Sequence, residues 1–197
     1  MQPANTQQYN FILASASPRR KELLQQFGFD FQIITSDILE ESHCLQPSDY
    51  VMDLSMQKAF NVSQQNPVEH SIIIGADTIV TYQNQILLKP TSKIDAFQTL
   101  SLLSDTTHEV YTGVTLLKRK EGLIQKHSFF EMTKVTFYKL TPDEIHTYIE
   151  TNDPFDKAGG YGIQGVFSRF IRCIEGEYTN VVGFPVGRFY HELKTFI

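Results

Sequence analysis

The chain has 197 residues, 41% hydrophobic and 20% charged, and its 17 Lys and Arg against 22 Asp and Glu leave a net charge of −5. That size and balance predict a single α/β domain spanning 1–197, or a core with lobes, and exclude disordered and fibrous classes. A negative chain is a poor nucleic-acid binder through general electrostatics, and no apolar run approaches the roughly 20 residues that a membrane helix needs.

Met1 to Asn10 lacks the basic segment and apolar stretch of a signal peptide, so a soluble cytoplasmic protein is expected. The two cysteines, Cys44 and Cys173, make neither a zinc framework nor a disulfide scaffold and are expected as buried structural thiols. The six histidines show no metal-ligand spacing and are expected mostly at the surface or partly packed.

In chain order, Tyr9 to Ser15 predicts a first strand. Ser17-Pro18 then supplies a helix N-cap with proline in the first turn. Leu23, Leu24 and Phe27 give that helix an apolar side, and Gly28 stops it. Phe31 to Ile34 predicts a short strand. A second helix is expected after Ser48, with Val51, Leu54, Lys58, Ala59 and Val62 at helical spacing. Ser71 to Tyr82 holds two apolar runs interrupted by Gly75-Ala76-Asp77, which predicts strand, break, strand, and then a hairpin through Gln83-Asn84-Gln85 to Pro90.

Lys93 to Leu103 predicts a third helix with Ala96, Leu100 and Leu103 inward. Val110 to Leu117 and Phe129 to Tyr138, joined across Lys118 to Gly122, predict long antiparallel strands. Thr141-Pro142-Asp143-Glu144 is a capping box opening a fourth helix that runs to about Glu150. Asp153 to Gly165 is glycine-rich and irregular, Arg169 to Ile174 a final strand, and Pro185 to Phe196 a closing helix. The mixture predicts an α/β or α+β fold with an extended sheet.

Four places hold candidate chemistry. Ala14-Ser15-Ala16-Ser17-Pro18-Arg19-Arg20-Lys21 is a strand end entering a helix N-terminus, where backbone N–H groups favour an anion. Three cations at that end oppose the helix dipole, which makes sense with an anion present. The alternative is an ordinary capped helix with a solvated basic start. Lys58 falls on or beside an apolar stripe, as a snorkelling lysine or as a cation aimed at a site beneath. Asp77, an acid in an apolar stretch, is a turn-forming residue or, with nothing nearby to repay its burial, a metal ligand or general base. Lys89 follows in the next hairpin. Finally, Asp156 to Gly165 places four glycines in seven positions, with Gln164 able to read a nucleobase edge through its amide or lying in a merely flexible loop.

Cations, one or two acids and glycine-rich backbone suit a polyphosphate ester with a divalent metal. Neither a G-x-S-x-G elbow nor a P-loop occurs.

Six ordered segments carry a resemblance: Leu13-Ala-Ser-Ala-Ser-Pro-Arg-Arg-Lys-Glu-Leu-Leu, Gly75-Ala-Asp-Thr-Ile-Val, Lys89-Pro90, Val110-Tyr-Thr-Gly-Val, Asp156-Lys-Ala-Gly-Gly-Tyr-Gly-Ile-Gln-Gly and Asn180-Val-Val-Gly-Phe-Pro. The chain resembles the Maf (septum-formation-inhibitor) family of nucleoside triphosphate pyrophosphatases. The resemblance implies a long mixed sheet flanked by helices, with two lobes around a central cleft as in the inosine triphosphate pyrophosphatase group, and a homodimer. It implies hydrolysis of the α–β phosphoanhydride with Mg²⁺ or Mn²⁺.

An acid followed by Thr, with the Tyr-Gly-Ile-Gln-Gly loop, is similar to the branch acting on dTTP and UTP rather than the sister branch acting on 7-methyl-GTP. By the same resemblance, Asp77 is the proton acceptor and, with Glu40 or Glu41, a metal ligand. Arg19, Thr78 and Gln164 bear on substrate choice, and Ser15, Arg20, Lys58 and Lys89 surround the phosphates. A nucleotide-binding regulator of cell division is the competing class, disfavoured because a pure sensor does not need an acid beside the phosphates.

Overall fold

A computed structural model describes residues 8–197; Met1 to Gln7, most of the segment read for a signal peptide, lie outside the described residues. Strand β1 (Asn10–Ala14) is buried from Phe11 onward because parallel strands flank it on both sides. Its neighbours are β2 (Gln32–Ile33) and β3 (Ser71–Tyr82), with Ile12 opposite Gln32 on one side and Ile73 on the other.

Helix α1 (Pro18–Gln26) begins as expected, with the Ser17 side chain accepting from the Arg20 backbone N–H. Leu23 and Leu24 are buried, but Phe27 is 45% exposed, because it caps the helix rather than continuing its inner face. Helix α2 (Pro47–Gln65) starts at the proline, slightly earlier than the sequence suggested.

The largest correction concerns β3. Ser71–Tyr82 is one uninterrupted strand, and Gly75-Ala76-Asp77 is not a break within it. Gly75 is there for proximity: a Cβ at that position would lie 2.1 Å from the Ser55 carbonyl oxygen and 2.9 Å from the Ala59 Cβ, both on α2. Gly113 plays the same part on a second strand, with a Cβ there meeting the Val51 carbonyl oxygen at 2.3 Å. The two glycines let α2 lie hard against the sheet.

A tight turn with positive φ at Gln83 and Asn84 leads into β4 (Gln85–Leu87), antiparallel to β3. Helix α3 (Lys93–Leu103) buries Ala96, Leu100 and Leu103 as its spacing predicts. Strands β5 (Thr107–Lys120) and β6 (Leu123–Phe137) are longer than expected and turn at Glu121-Gly122, both at positive φ. Helix α4 (Pro142–Ile149) carries both bonds of the capping box between Thr141 and Glu144.

Short 3₁₀ turns occupy Asp153–Asp156, Ala158–Gly160 and Gly165–Phe170. The chain ends with β7 (Ile171–Glu175), a short unanticipated helix α5 (Tyr178–Val182), and α6 (Val186–Phe196). The mixed sheet runs β2-β1-β3-β5-β6-β7, with β4 joined to β3. Cys173 is exposed on β7 and Cys44 half-buried, so neither is the buried thiol expected; β7 pairs with β6 at the end of the strand order.

Two compact units emerge: one of Met1–Asp77, Thr112–Glu131 and Gly183–Ile197, the other of Thr78–Tyr111 and Met132–Val182. The first unit packs α2 residues Ala59 and Val62 on Ile12, Ile73 and Leu117, while Phe29 and Phe184 close around Phe189. The second packs Val80, Leu100, Val135, Phe137, Tyr148, Tyr161 and Phe167 into one cluster.

Within that second cluster His108 departs from the expectation for the histidines. It is 1% exposed, its Nε2 lies 2.7 Å from the Tyr161 hydroxyl, and its ring stands edge-on to Phe137. Burial pushes its imidazole down to about 3, so the folded protein holds it neutral.

Two measurements follow. From pH 6.5 down towards 3 the unfolded chain binds a proton at His108 that the folded chain refuses, so stability falls as pH falls. Going from pH 7 to pH 5 costs about 2 kcal/mol through this group; urea unfolding of His108→Phe lacks that share of the acid sensitivity. Gly75→Ala loses about 1–3 kcal/mol in the same assay, because the new carbon meets helix backbone. Gly122→Ala, with open space around the added carbon, shows only the cost of its positive φ.

Candidate active site

The close approach of α2 sets the central interaction. Lys58 lies on the buried face of α2, among Val51, Leu54, Ser55, Ala59 and Val62, and is only 8% exposed. Its Nζ donates to Asp77 Oδ1 at 2.7 Å, and Glu40 Oε2 lies 2.8 Å from the same nitrogen. Asp77 is equally buried, while the Glu40 side chain is 51% exposed on the loop before α2. One ammonium therefore joins an acid from the sheet to an acid from a loop. Of the two adjacent loop acids, it is the Glu40 carboxylate that reaches Lys58. Glu41 instead offers its backbone carbonyl to the Gln57 amide at 2.9 Å.

Arg20 adds a second buried cation. Its Nε donates to the Gly183 carbonyl at 2.9 Å and its Nη1 to Ser15 Oγ at 3.1 Å. Burial lowers the pKa of its guanidinium from the ordinary value, opposed by the charges of Asp77 and Glu40. The Ser15 hydroxyl accepts again from the Ser17 backbone N–H at 3.2 Å. With both acceptor positions used, what Ser15 can offer an incoming anion is its hydroxyl proton. Arg19 is half-buried beside it, at the start of α1, and its charge bears on Arg20.

Sequence reasoning missed Tyr50 and Gly183. Burial raises the phenol of Tyr50, and the charges of Asp77 and Glu40 raise it further, so it stays a neutral donor beside them. Its place eight residues before Lys58 on one helix was the available signal. Gly183 stood within a matched motif, but nothing local points to its carbonyl as an anchor for Arg20.

Lys58, Asp77, Glu40, Arg20, Ser15, Arg19 and Tyr50 thus all belong to the first unit. Thr78, Lys89 and Gln164 belong to the second. Thr78 follows Asp77 along β3 and is half-buried; Lys89 and Gln164 are exposed. Within the second unit the segments carrying Lys89 and Gln164 are fastened together. The Gly159 backbone N–H donates to the Leu88 carbonyl at 3.2 Å, and a Cβ at Gly160 would touch Pro90 at 3.0 Å.

Three cations against two carboxylates leave the first unit's cluster with a surplus of positive charge, which suits an anionic ligand. Among the described residues, no group of three or more His, Cys, Asp or Glu converges as a metal cage. The Glu40 and Asp77 carboxylates nonetheless already meet at one cationic atom, the Lys58 ammonium. Two hard oxygen ligands of this kind fit a divalent ion that completes its shell with water and phosphate oxygens. Among the described residues, no helix is long and apolar enough to cross a membrane.

Comparison with known proteins agrees with this chemistry. A protein from Lachnoclostridium phytofermentans named dTTP/UTP pyrophosphatase is 47% identical over 189 residues, covering 95% of both chains. One of the same name from Bacillus anthracis is 50% identical over 186 residues, covering 94% of both. The structure of the Staphylococcus aureus Ham1 protein matches with a TM-score of 0.52 over 95% of this chain and all of that one; at 10% identity, this is a likeness of fold alone. The family described as Maf-like protein matches residues 10–196, and with relatives near half identity along almost its whole length, the chain belongs to the Maf family.

Proposed function

We propose that this chain is a nucleotide pyrophosphatase that hydrolyses dTTP and UTP to the monophosphate and pyrophosphate. Its relatives' shared name supports the reaction class, and the observation that carries the site is Lys58 Nζ held between Asp77 and Glu40 at 2.7 and 2.8 Å. A triphosphate brings about four negative charges to a site that must balance them without immobilising the product.

The start of α1 meets part of that charge through its backbone N–H groups and its dipole, and Ser15 donates its hydroxyl proton. Arg19, Arg20, Lys58 and, from the second unit, Lys89 supply the cations. Arg20 is already fixed by Ser15 and Gly183, so its guanidinium contributes without having to be ordered on binding.

Asp77 takes the proton. Lys58 holds Oδ1 and so orients the carboxylate, leaving Oδ2 to accept from the attacking water. The water oxygen forms a bond to the α-phosphorus in line with the bridging oxygen. The bond between that phosphorus and the bridging oxygen breaks, and pyrophosphate departs carrying the bridging oxygen and the electron pair. A divalent cation, Mg²⁺ or Mn²⁺, held by Glu40 and Asp77 would supply neutralisation of phosphate charge. Thr78 and Gln164 read the pyrimidine; an amide both donates and accepts, as a pyrimidine edge requires. The half-buried phenol of Tyr50, kept neutral by its surroundings and by the charges of Asp77 and Glu40, is a further donor available near the acid pair.

Asp77→Asn keeps an oxygen for Lys58 but removes the proton acceptor. Pyrophosphate release from dTTP is expected to fall by about 10²–10⁴-fold in kcat, with nucleotide binding measured by calorimetry largely retained. Near-normal turnover in this variant refutes Asp77 as the base. A panel of dTTP, UTP, 7-methyl-GTP and purine triphosphates tests the substrate class, and a preference for 7-methyl-GTP overturns it.

A further inference from the structure

The glycine-rich segment that ends in Gln164 is not held by its own backbone alone. Tyr161 is 5% exposed and Ile163 9%, whereas Gln164 is exposed; beyond Gly165 at positive φ, Phe167 is buried again. Gln164 thus opens a short exposed stretch, residues 164–166, slung between the buried anchors Ile163 and Phe167. Two polar side chains reach those anchors from regular elements. From β5, His108 Nε2 lies 2.7 Å from the Tyr161 hydroxyl. From α4, the Tyr148 hydroxyl donates to Asp153 Oδ2 at 2.7 Å and accepts from the Gly162 backbone N–H.

Lys157 ties the front of the same segment, donating to Asp153 Oδ1 at 2.8 Å and Asp156 Oδ1 at 2.6 Å. Aromatic packing completes the seat: Tyr161 stands edge-on to Phe137 at 4.7 Å, and Phe167 lies 4.7 Å from Tyr148.

A packed aromatic cluster needs no buried polar pair to cohere. His108 is nonetheless buried with its Nδ1 lacking a partner among the described residues, a cost that a phenylalanine would not incur. What the pair adds is direction. A hydrogen bond fixes where Tyr161 sits along the loop, whereas ring contacts alone tolerate sliding.

We propose that His108 is a positioning residue for base selection: through its bond to the Tyr161 hydroxyl it fixes the 161–164 backbone and hence the place of the Gln164 amide. This rests on the reading that Gln164 meets the base. It gives a residue that touches neither phosphate nor base a say in which nucleotide is cut. The Tyr148 bonds act on the same backbone from α4.

The experiment measures kcat/KM for dTTP and for dGTP in the otherwise intact protein and takes their ratio. Inhibition by inorganic triphosphate, which has no base, is measured alongside. In His108→Phe, which keeps the ring contacts, the dTTP preference is expected to fall about ten-fold while triphosphate inhibition stays unchanged. His108→Gln, which restores an amide near the Nε2 position, is expected to recover most of the preference. The double variant His108→Phe with Tyr161→Phe leaves no polar atom orphaned, so its stability returns, yet its dTTP preference stays low.

An unchanged ratio in His108→Phe, or a ratio that recovers together with stability in the double variant, overturns the proposal. If His108→Phe does not fold, Tyr161→Phe alone is read in the same way. Gln164→Ala separates the two levels. If it leaves the ratio unaltered, the base-reading role fails and the positioning role falls with it. If it lowers the ratio while His108→Phe does not, only the positioning role is overturned.

Discussion

An ammonium group on a helix face made of Val51, Leu54, Ala59 and Val62 has no business being buried unless something compensates its charge, and here two carboxylates do. Reciprocally, Asp77 is buried in a strand of isoleucines and tolerates that place because Lys58 lies 2.7 Å away. Distance is the constraint behind both facts. The lysine reaches the strand because α2 presses on the sheet where Gly75 and Gly113 present no side chain. Packing and electrostatics are therefore one design: the contact that closes the apolar core also delivers the charge.

The cluster has a graded exposure that suits its proposed work. Arg20, Lys58 and Asp77 are buried and fixed by named partners, whereas Glu40 is half exposed on a loop. Buried groups fixed in advance lose little freedom when substrate arrives, and a low-dielectric setting strengthens their field. An exposed carboxylate on a loop suits the proposed exchange of the lysine for a hydrated cation. The second unit obeys a different rule. Its polar pins, His108 with Tyr161 and Tyr148 with Asp153, act on backbone rather than on charge, which suits the proposed division between neutralising phosphates and holding a recognition loop in register.

Local signals in the sequence were read well and long-range ones were not. The Ser17-Pro18 cap, the Thr141 capping box and the inward face of α3 are decided by neighbours within a turn, and all three stand in the structure. The break expected at Gly75 is absent because a glycine inside an apolar run marks a bend and a close contact alike, and only the position of α2 distinguishes them. Lys58 was ambiguous for a related reason: its acids come from a loop 18 residues upstream and a strand 19 residues downstream. Helix α5 is five residues long, too short to show a period. His108 and Tyr161 lie 53 residues apart and carry no motif linking them, so their pairing had no sequence signature. The motif segments themselves, by contrast, were legible because they are contiguous.

The bond from Arg20 to the Gly183 carbonyl joins residues 163 positions apart. The first unit is assembled from three stretches of chain, the last of them Gly183–Ile197, with the whole of the second unit synthesised in between. A ribosome-bound chain therefore completes the second unit's segments while the guanidinium of the first still lacks its acceptor. The cluster around Arg20 therefore waits on the emergence of Gly183, just ahead of α6, before its buried arginine can be locked.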